Sequence, residues 1–97
     1  MATTSWDEVK AARSGDSAAQ AAYAAAKLAF ELGEQVRSMR EERGWSQREL
    51  SALTGMSQPA IARFEAGGTT PTLPILERIA IAFDSTLTVQ LTPKAVA

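Results

Sequence analysis

The 97-residue sequence contains no cysteine and no histidine. Without cysteine there can be no disulfide and no thiolate nucleophile. Without either residue, Cys/His zinc sites, Ser-His and Cys-His nucleophile pairs and an imidazole general base are all excluded. The carboxylates supply no substitute. Glu41 and Glu42 are consecutive, so they do not share a helix face, and no other site chemistry surrounds them. No enzymatic activity, metal or cofactor is therefore expected. No apolar run approaches the ~18 residues of a membrane span. The opening MATTSWDEVK has neither the basic nor the apolar region of a secretory signal, so a cytoplasmic location is expected. An excess of positive charge is also lacking. Ten basic residues face eleven acidic ones, and the isoelectric point is about 5.4. Domains that bind nucleic acid without sequence preference usually lie above about 9.

What the chain has is enough for one small domain. Hydrophobic residues make up 45% of it, but eight of the residues from Ala18 to Ala29 are alanine, so bulky core material is scarcer than that figure suggests. The densest set of local signals lies from Ser46 to Gly67. Ser46 and Glu49 have the S-x-x-E spacing of a capping box, Leu50 and Leu53 give an apolar edge, and Gly55 ends the first helix. Ser57 caps a second helix, and Pro59 falls in its first turn, where a missing N–H is tolerated. Ile61 and Phe64 point inward, which leaves Gln58, Ala62 and Arg63 outside. Two short helices joined by a glycine-containing turn form a helix-turn-helix, whose second helix is shaped to enter the DNA major groove. From Val36 to Arg63 there are five arginines and three glutamates, a small local excess of positive charge.

This stretch resembles the DNA-binding motif of the XRE, or phage-repressor, family. The resemblance rests on Arg40, Gly44, Ser46-Gln47, Glu49-Leu50, Gly55, Ser57-Gln58, Ile61, Glu65 and Gly67, and its core runs from about Leu28 to Phe83. It implies an ion pair between Arg40 and Glu65 that aligns the recognition helix, the alternative being two separately solvated charges. It also implies that the loop carrying Thr69 and Thr70 lies beside the DNA backbone, the alternative being a plain connector. From the geometry of such a motif, Gln47 at the start of the first helix should bond a phosphate. Gln and Arg on the outer edge can pair with adenine and guanine. The candidate DNA-binding residues are Gln47, Arg48, Ser57, Gln58, Pro59, Ala60, Arg63, Thr69 and Thr70.

Around this unit, the sequence divides into an N-terminal helical extension (1–27), the helix-turn-helix domain (28–84) and a C-terminal strand and tail (85–97). Ser5 and Glu8 suggest a short first helix, Ser14-Gly15-Asp16 a break, and Ser17 and Gln20 a new start. Leu28, Leu32, Val36 and Met39 form an apolar stripe, Gly33 is a candidate kink, and Ala22, Tyr23 and Phe30 suggest a second apolar side. Trp6, with Val9, either folds back on the chain or anchors a partner. Leu73, Leu76, Ile79, Ala80 and Phe83 predict a closing amphipathic helix. Leu87, Val89 and Leu91 alternate with polar residues and predict a β-strand ended by Pro93. Such a strand would pair with its copy in a homodimer, lie along its own helices, or join a partner's sheet. The expected fold is thus an all-α helix-turn-helix bundle with a helical extension and a short, dimer-pairing strand.

The whole layout is similar to that of HigA-type antitoxins of toxin–antitoxin pairs. The likeness lies in Ser5-Trp6-Asp7-Glu8-Val9, a helical extension, Ser57-Gln58-Pro59-Ala60-Ile61-Ala62-Arg63 and a short C-terminal strand. It implies a homodimeric repressor of a palindromic operator in double-stranded DNA. This repressor would also neutralise a RelE-like ribonuclease toxin, with Trp6, Val9 and Tyr23 as candidate partner-binding residues. A stand-alone regulator without a toxin, and an interaction module without operator reading, are the alternatives.

Overall fold

A computed structural model describes the backbone of residues 3–95 and the side chains from Asp16 to Ala95. Four helices follow one another: α1 (Thr3–Glu42), α2 (Gln47–Thr54), α3 (Gln58–Glu65) and α4 (Leu73–Ala82). At about 1.5 Å per residue a 40-residue helix is about 60 Å long, and α1 accounts for the longest dimension of the molecule, 58 Å. Among its described side chains, from Asp16 on, the buried ones begin at Ala29.

The core gathers Val36 from α1, Leu50 from α2, Ile61 and Phe64 from α3, and Ile79 and Phe83 from α4 and its end. Leu50 and Ile61 are fully enclosed. Each such side chain contributes on the order of 1.5–3 kcal/mol relative to exposure. Leu32, Met39, Trp45, Met56, Ile75 and Leu76 pack around this centre. Trp45 stacks on Phe83 with ring centroids 5.4 Å apart, and the Arg43 guanidinium covers both rings, 5.7 and 4.9 Å from their centroids. The chain after α4 is thereby held close to the turn after α1.

Four expectations need correction. No break occurs at Ser14-Gly15-Asp16: α1 is continuous, and Ser17 lies inside it rather than at a cap. The run of strong helix formers on the C-terminal side carries the helix through local signals worth only about 1 kcal/mol each. Gly33 does not interrupt α1 either; it lies buried in mid-helix. Leu28 belongs with the exposed residues, as do Phe30 and Tyr23, and Ala29 faces the bundle instead. Among the described residues there is no β-strand. Leu87 is half-buried and helps line an apolar cleft of about 250 Å³ between α1 and α4, while Val89 and Leu91 are exposed. Residues 85–95 have no regular secondary structure, since among the described residues no neighbouring strand completes a ladder for their backbone groups. The side chains of Trp6 and Val9 lie outside the described ones.

Candidate nucleic-acid interface

The unit formed by α2 and α3 is fixed at each end by local chemistry. Ser46 Oγ accepts from the Glu49 N–H at 3.0 Å, and Glu49 Oε1 accepts from the Ser46 N–H at 2.8 Å, closing a reciprocal capping box. Gly55, at φ 74°, ends α2 in the left-handed conformation and donates to the Ser51 carbonyl at 2.9 Å. Three side chains then secure the turn. Thr54 is buried; its Oγ1 donates to the Leu50 carbonyl and accepts from the Met56 N–H. Ser51 Oγ donates to the Met56 carbonyl. Arg78 Nε, from α4, donates to the Thr54 carbonyl at 3.0 Å. Ser57 Oγ caps α3 by accepting from the Ala60 N–H at 3.2 Å.

The far end of α3 is held against α1. Gly68 N–H donates to the Arg63 carbonyl and Gly67 N–H to the Phe64 carbonyl, with Gly67 at φ 78°. This is the paired closure that a left-handed glycine permits. Arg40 Nε donates to Glu65 Oε2 at 2.7 Å and its Nη2 to Glu65 Oε1 at 3.0 Å. Arg40 Nη1 donates to the Trp45 carbonyl at 2.8 Å. The two side chains are 12% and 3% exposed. The hydrogen bond to Glu65 is the first cause that holds the Arg40 pKa above its ordinary value. The guanidinium is charged throughout any accessible pH range.

The candidate DNA-binding residues fall into three groups. Ser57, Gln58, Pro59 and Arg63 are exposed, and Ala60 is half-buried beside them. These five belong to α3 or its cap, and Ile61 and Phe64 occupy its buried side. On α2, Arg48 is exposed and Gln47 half-buried. In the loop after α3, Thr69 is half-buried and Thr70 exposed, and both line a shallow cleft with Gly67, Gly68 and Ala22, Ala25, Ala26 and Ala29 of α1. Sequence reasoning missed the hydrogen bond from Gln47 Nε2 to Glu65 Oε1 at 3.1 Å. It also missed Gly33, where an added Cβ would lie 2.4 Å from the Phe64 carbonyl oxygen. No local pattern signals either contact, since both join residues distant in sequence. Among the described residues, no group of three or more acidic side chains could hold a metal, and no helix is long and apolar enough to cross a membrane.

Two capped short helices joined by a glycine turn, with one face of the second helix buried and the other open, define a helix-turn-helix. A family model described as helix-turn-helix matches residues 36–90, and the chain belongs to that family. It is 40% identical over 50 residues to an uncharacterised HTH-type transcriptional regulator of Haemophilus influenzae. That match covers 52% of this chain and 51% of the relative, so the chain spans about half the length of the curated protein it matches. The fold is also similar to the crystal structure of the restriction–modification controller protein C.AhdI from Aeromonas hydrophila. The TM-score is 0.58 at 26% identity, covering 60% of this chain and 88% of that one.

Proposed function

We propose that the chain is a sequence-specific transcriptional repressor that reads double-stranded DNA with α3. The observation that carries this reading is the open edge of α3. Gln58 and Arg63 are exposed on a helix whose orientation is fixed from both ends. Both side chains can make bidentate contacts with base edges, to adenine and guanine respectively. Gln47, Arg48, Thr69 and Thr70 then serve the phosphate backbone on either side. Residues 28–84 form the DNA-binding domain, and two copies bind a palindromic operator, because so few readers per chain give only modest discrimination. Likeness to a controller protein of a restriction–modification system supports control of a neighbouring promoter.

A second reading adds a toxin partner. It is favoured by the α1 extension, which leaves Tyr23 74% exposed and Leu28 and Phe30 more than half exposed, outside the core of the bundle. A helix with such a side offers a docking surface for a protein, and the ribonuclease-neutralising role fits that surface.

The test is fluorescence anisotropy on a duplex selected by the wild-type chain from a random pool. Gln58→Ala and Arg63→Ala should each cost about 1–3 kcal/mol on that duplex and little on an unrelated one. Equal binding of both duplexes by all three proteins refutes operator reading. For the second reading, co-expression with a RelE-like ribonuclease encoded beside this chain should restore growth; continued arrest despite soluble chain refutes it.

A further inference from the structure

Glu65 is bonded to more than its arginine. Its Oε1 accepts from Arg40 Nη2 at 3.0 Å and from Gln47 Nε2 at 3.1 Å, and its Oε2 accepts from Arg40 Nε at 2.7 Å. One buried carboxylate therefore joins the end of α3, the last turn of α1 and the first residue of α2. We propose that Glu65 is a positioning residue for DNA binding, holding the Gln47 amide so that it presents N–H, and not C=O, to a phosphate at the start of α2. The proposal rests on the DNA-binding reading above.

The argument starts from the symmetry of an amide. Its oxygen and nitrogen are nearly alike in shape and exchange places by a half-turn of the terminal torsion. A free glutamine therefore faces a phosphate with the wrong atom part of the time. A carboxylate only accepts hydrogen bonds, so Glu65 selects the NH2 side. That group has two hydrogens. One is used on Glu65, which leaves the second for another acceptor. A phosphate oxygen is also acceptor-only, so the single NH2 can bridge the two.

A second feature serves the same end. The capping box uses the Glu49 N–H, which leaves the Gln47 and Arg48 N–H groups at the opening of α2 for an anion. A bare carboxylate next to that opening would repel a phosphate. Arg40, paired to Glu65 through two hydrogen bonds, cancels its charge. The carboxylate can thus orient Gln47 without opposing the anion. The same bond ties this backbone contact to α3, so the base-reading helix and the phosphate-binding helix start keep one register.

The experiment is a double-mutant cycle on the full chain, with the selected duplex and anisotropy as readout. Gln47→Ala and Glu65→Gln should each weaken binding about tenfold, as expected for one charge-assisted contact. The double variant should be no more than about twofold weaker than either single one, because the two changes remove one interaction. Losses that multiply to about a hundredfold overturn the proposal, since a residue that only supports the fold gives independent effects. Should Glu65→Gln fold poorly, the side-chain amide of Gln47 in the wild type decides by nuclear magnetic resonance. Its two protons should differ in exchange rate, and one should shift on adding duplex. Behaviour like that of the exposed Gln58 amide overturns the proposal. Arg63→Ala separates the two levels. If it leaves affinity unchanged and unrelated DNA binds equally well, the DNA reading falls and the positioning role with it. If it weakens binding while Gln47 and Glu65 act independently, only the positioning role falls.

Discussion

Replacing Gly33 by alanine tests whether α1 and α3 meet as closely as the structure has them. Gly33 is in the middle of a long helix, where alanine is normally favoured by about 1 kcal/mol. Here an added Cβ would lie 2.4 Å from the Phe64 carbonyl oxygen, 2.7 Å from that of Glu65 and 3.0 Å from the Glu65 carbonyl carbon. All three are backbone atoms, so no side-chain rotation relieves the overlap. An ordinary van der Waals separation requires the two elements to part by roughly 1 Å. Parting loosens Val36 and Phe64, both in the core cluster. Overpacking costs about 1–3 kcal/mol, and a backbone obstacle puts this case near the upper end. After the helix-propensity gain is subtracted, Gly33→Ala should destabilise by about 2 kcal/mol. For a domain of this size that lowers the melting temperature by roughly 8–16 °C, measurable by circular dichroism. A variant as stable as the wild type, or more so, would show that Gly33 is an ordinary solvated helix position and that the close approach is wrong.

Other substitutions probe the remaining joints. Arg40→Met leaves the Glu65 carboxylate buried without its cation and should cost about 3–5 kcal/mol in urea unfolding; a loss below about 1 kcal/mol would mean the pair is solvated. Because hydrogen bonding to Glu65 raises the Arg40 pKa, its contribution is complete below the ordinary arginine range and fades only above it. Stability measured across neutral pH should therefore show no step from this guanidinium. Ser46→Ala removes the α2 cap and should cost about 1 kcal/mol, with Glu49→Ala adding little in the double variant, since the two side chains act reciprocally. Asp84 is the one non-glycine residue with positive φ among the described residues, at 51°, where it closes α4. Asp84→Gly should stabilise by roughly 0.5 kcal/mol, as relief of that backbone exceeds the added freedom of the unfolded chain; a loss of melting temperature would contradict this.

Much of the helix-turn-helix was legible because its signals are local. Ser46 with Glu49, Gly55, Ser57 and Pro59 each state a helix boundary within four residues, and each boundary lies where those residues place it. The apolar spacing of Ile61 and Phe64 likewise fixed which side of α3 is buried. Errors arose where a local signal competed with its context. Ser14-Gly15-Asp16 is a weak break, and the alanine-rich run beyond it outweighs it. Leu87, Val89 and Leu91 have a strand's alternation, but a strand is a property of two segments, and no second one pairs with it among the described residues. Gly33 reads as a flaw in a helix until the carbonyls of Phe64 and Glu65 are placed above it. The bond from Gln47 to Glu65 joins residues 18 positions apart and has no sequence period to reveal it.

The placement of these joints bears on how an eight-residue helix would read DNA in the proposed function. Helices shorter than about 12–15 residues are marginal in water, so α3 takes its order from what surrounds it. At its start it is tied through the turn: Ser57 caps it, Thr54 and Ser51 bind Met56, and Arg78 binds the Thr54 carbonyl. At its end Glu65 is paired to Arg40, and the Gly67 backbone lies against that of Phe30, where a Cβ would come within 2.9 Å of the Phe30 Cα. Ile61 and Phe64 fasten the inner side between these points. What remains free is Gln58, Pro59 and Arg63, on a frame that need not reorganise. Ordering costs that would otherwise reduce affinity are met during folding. If Gln58 and Arg63 are the readers, as proposed, the same economy limits information, since two hydrogen-bonding side chains discriminate by only a few kcal/mol. On the proposed function, selectivity would come from doubling the module on a symmetric site, not from enlarging it.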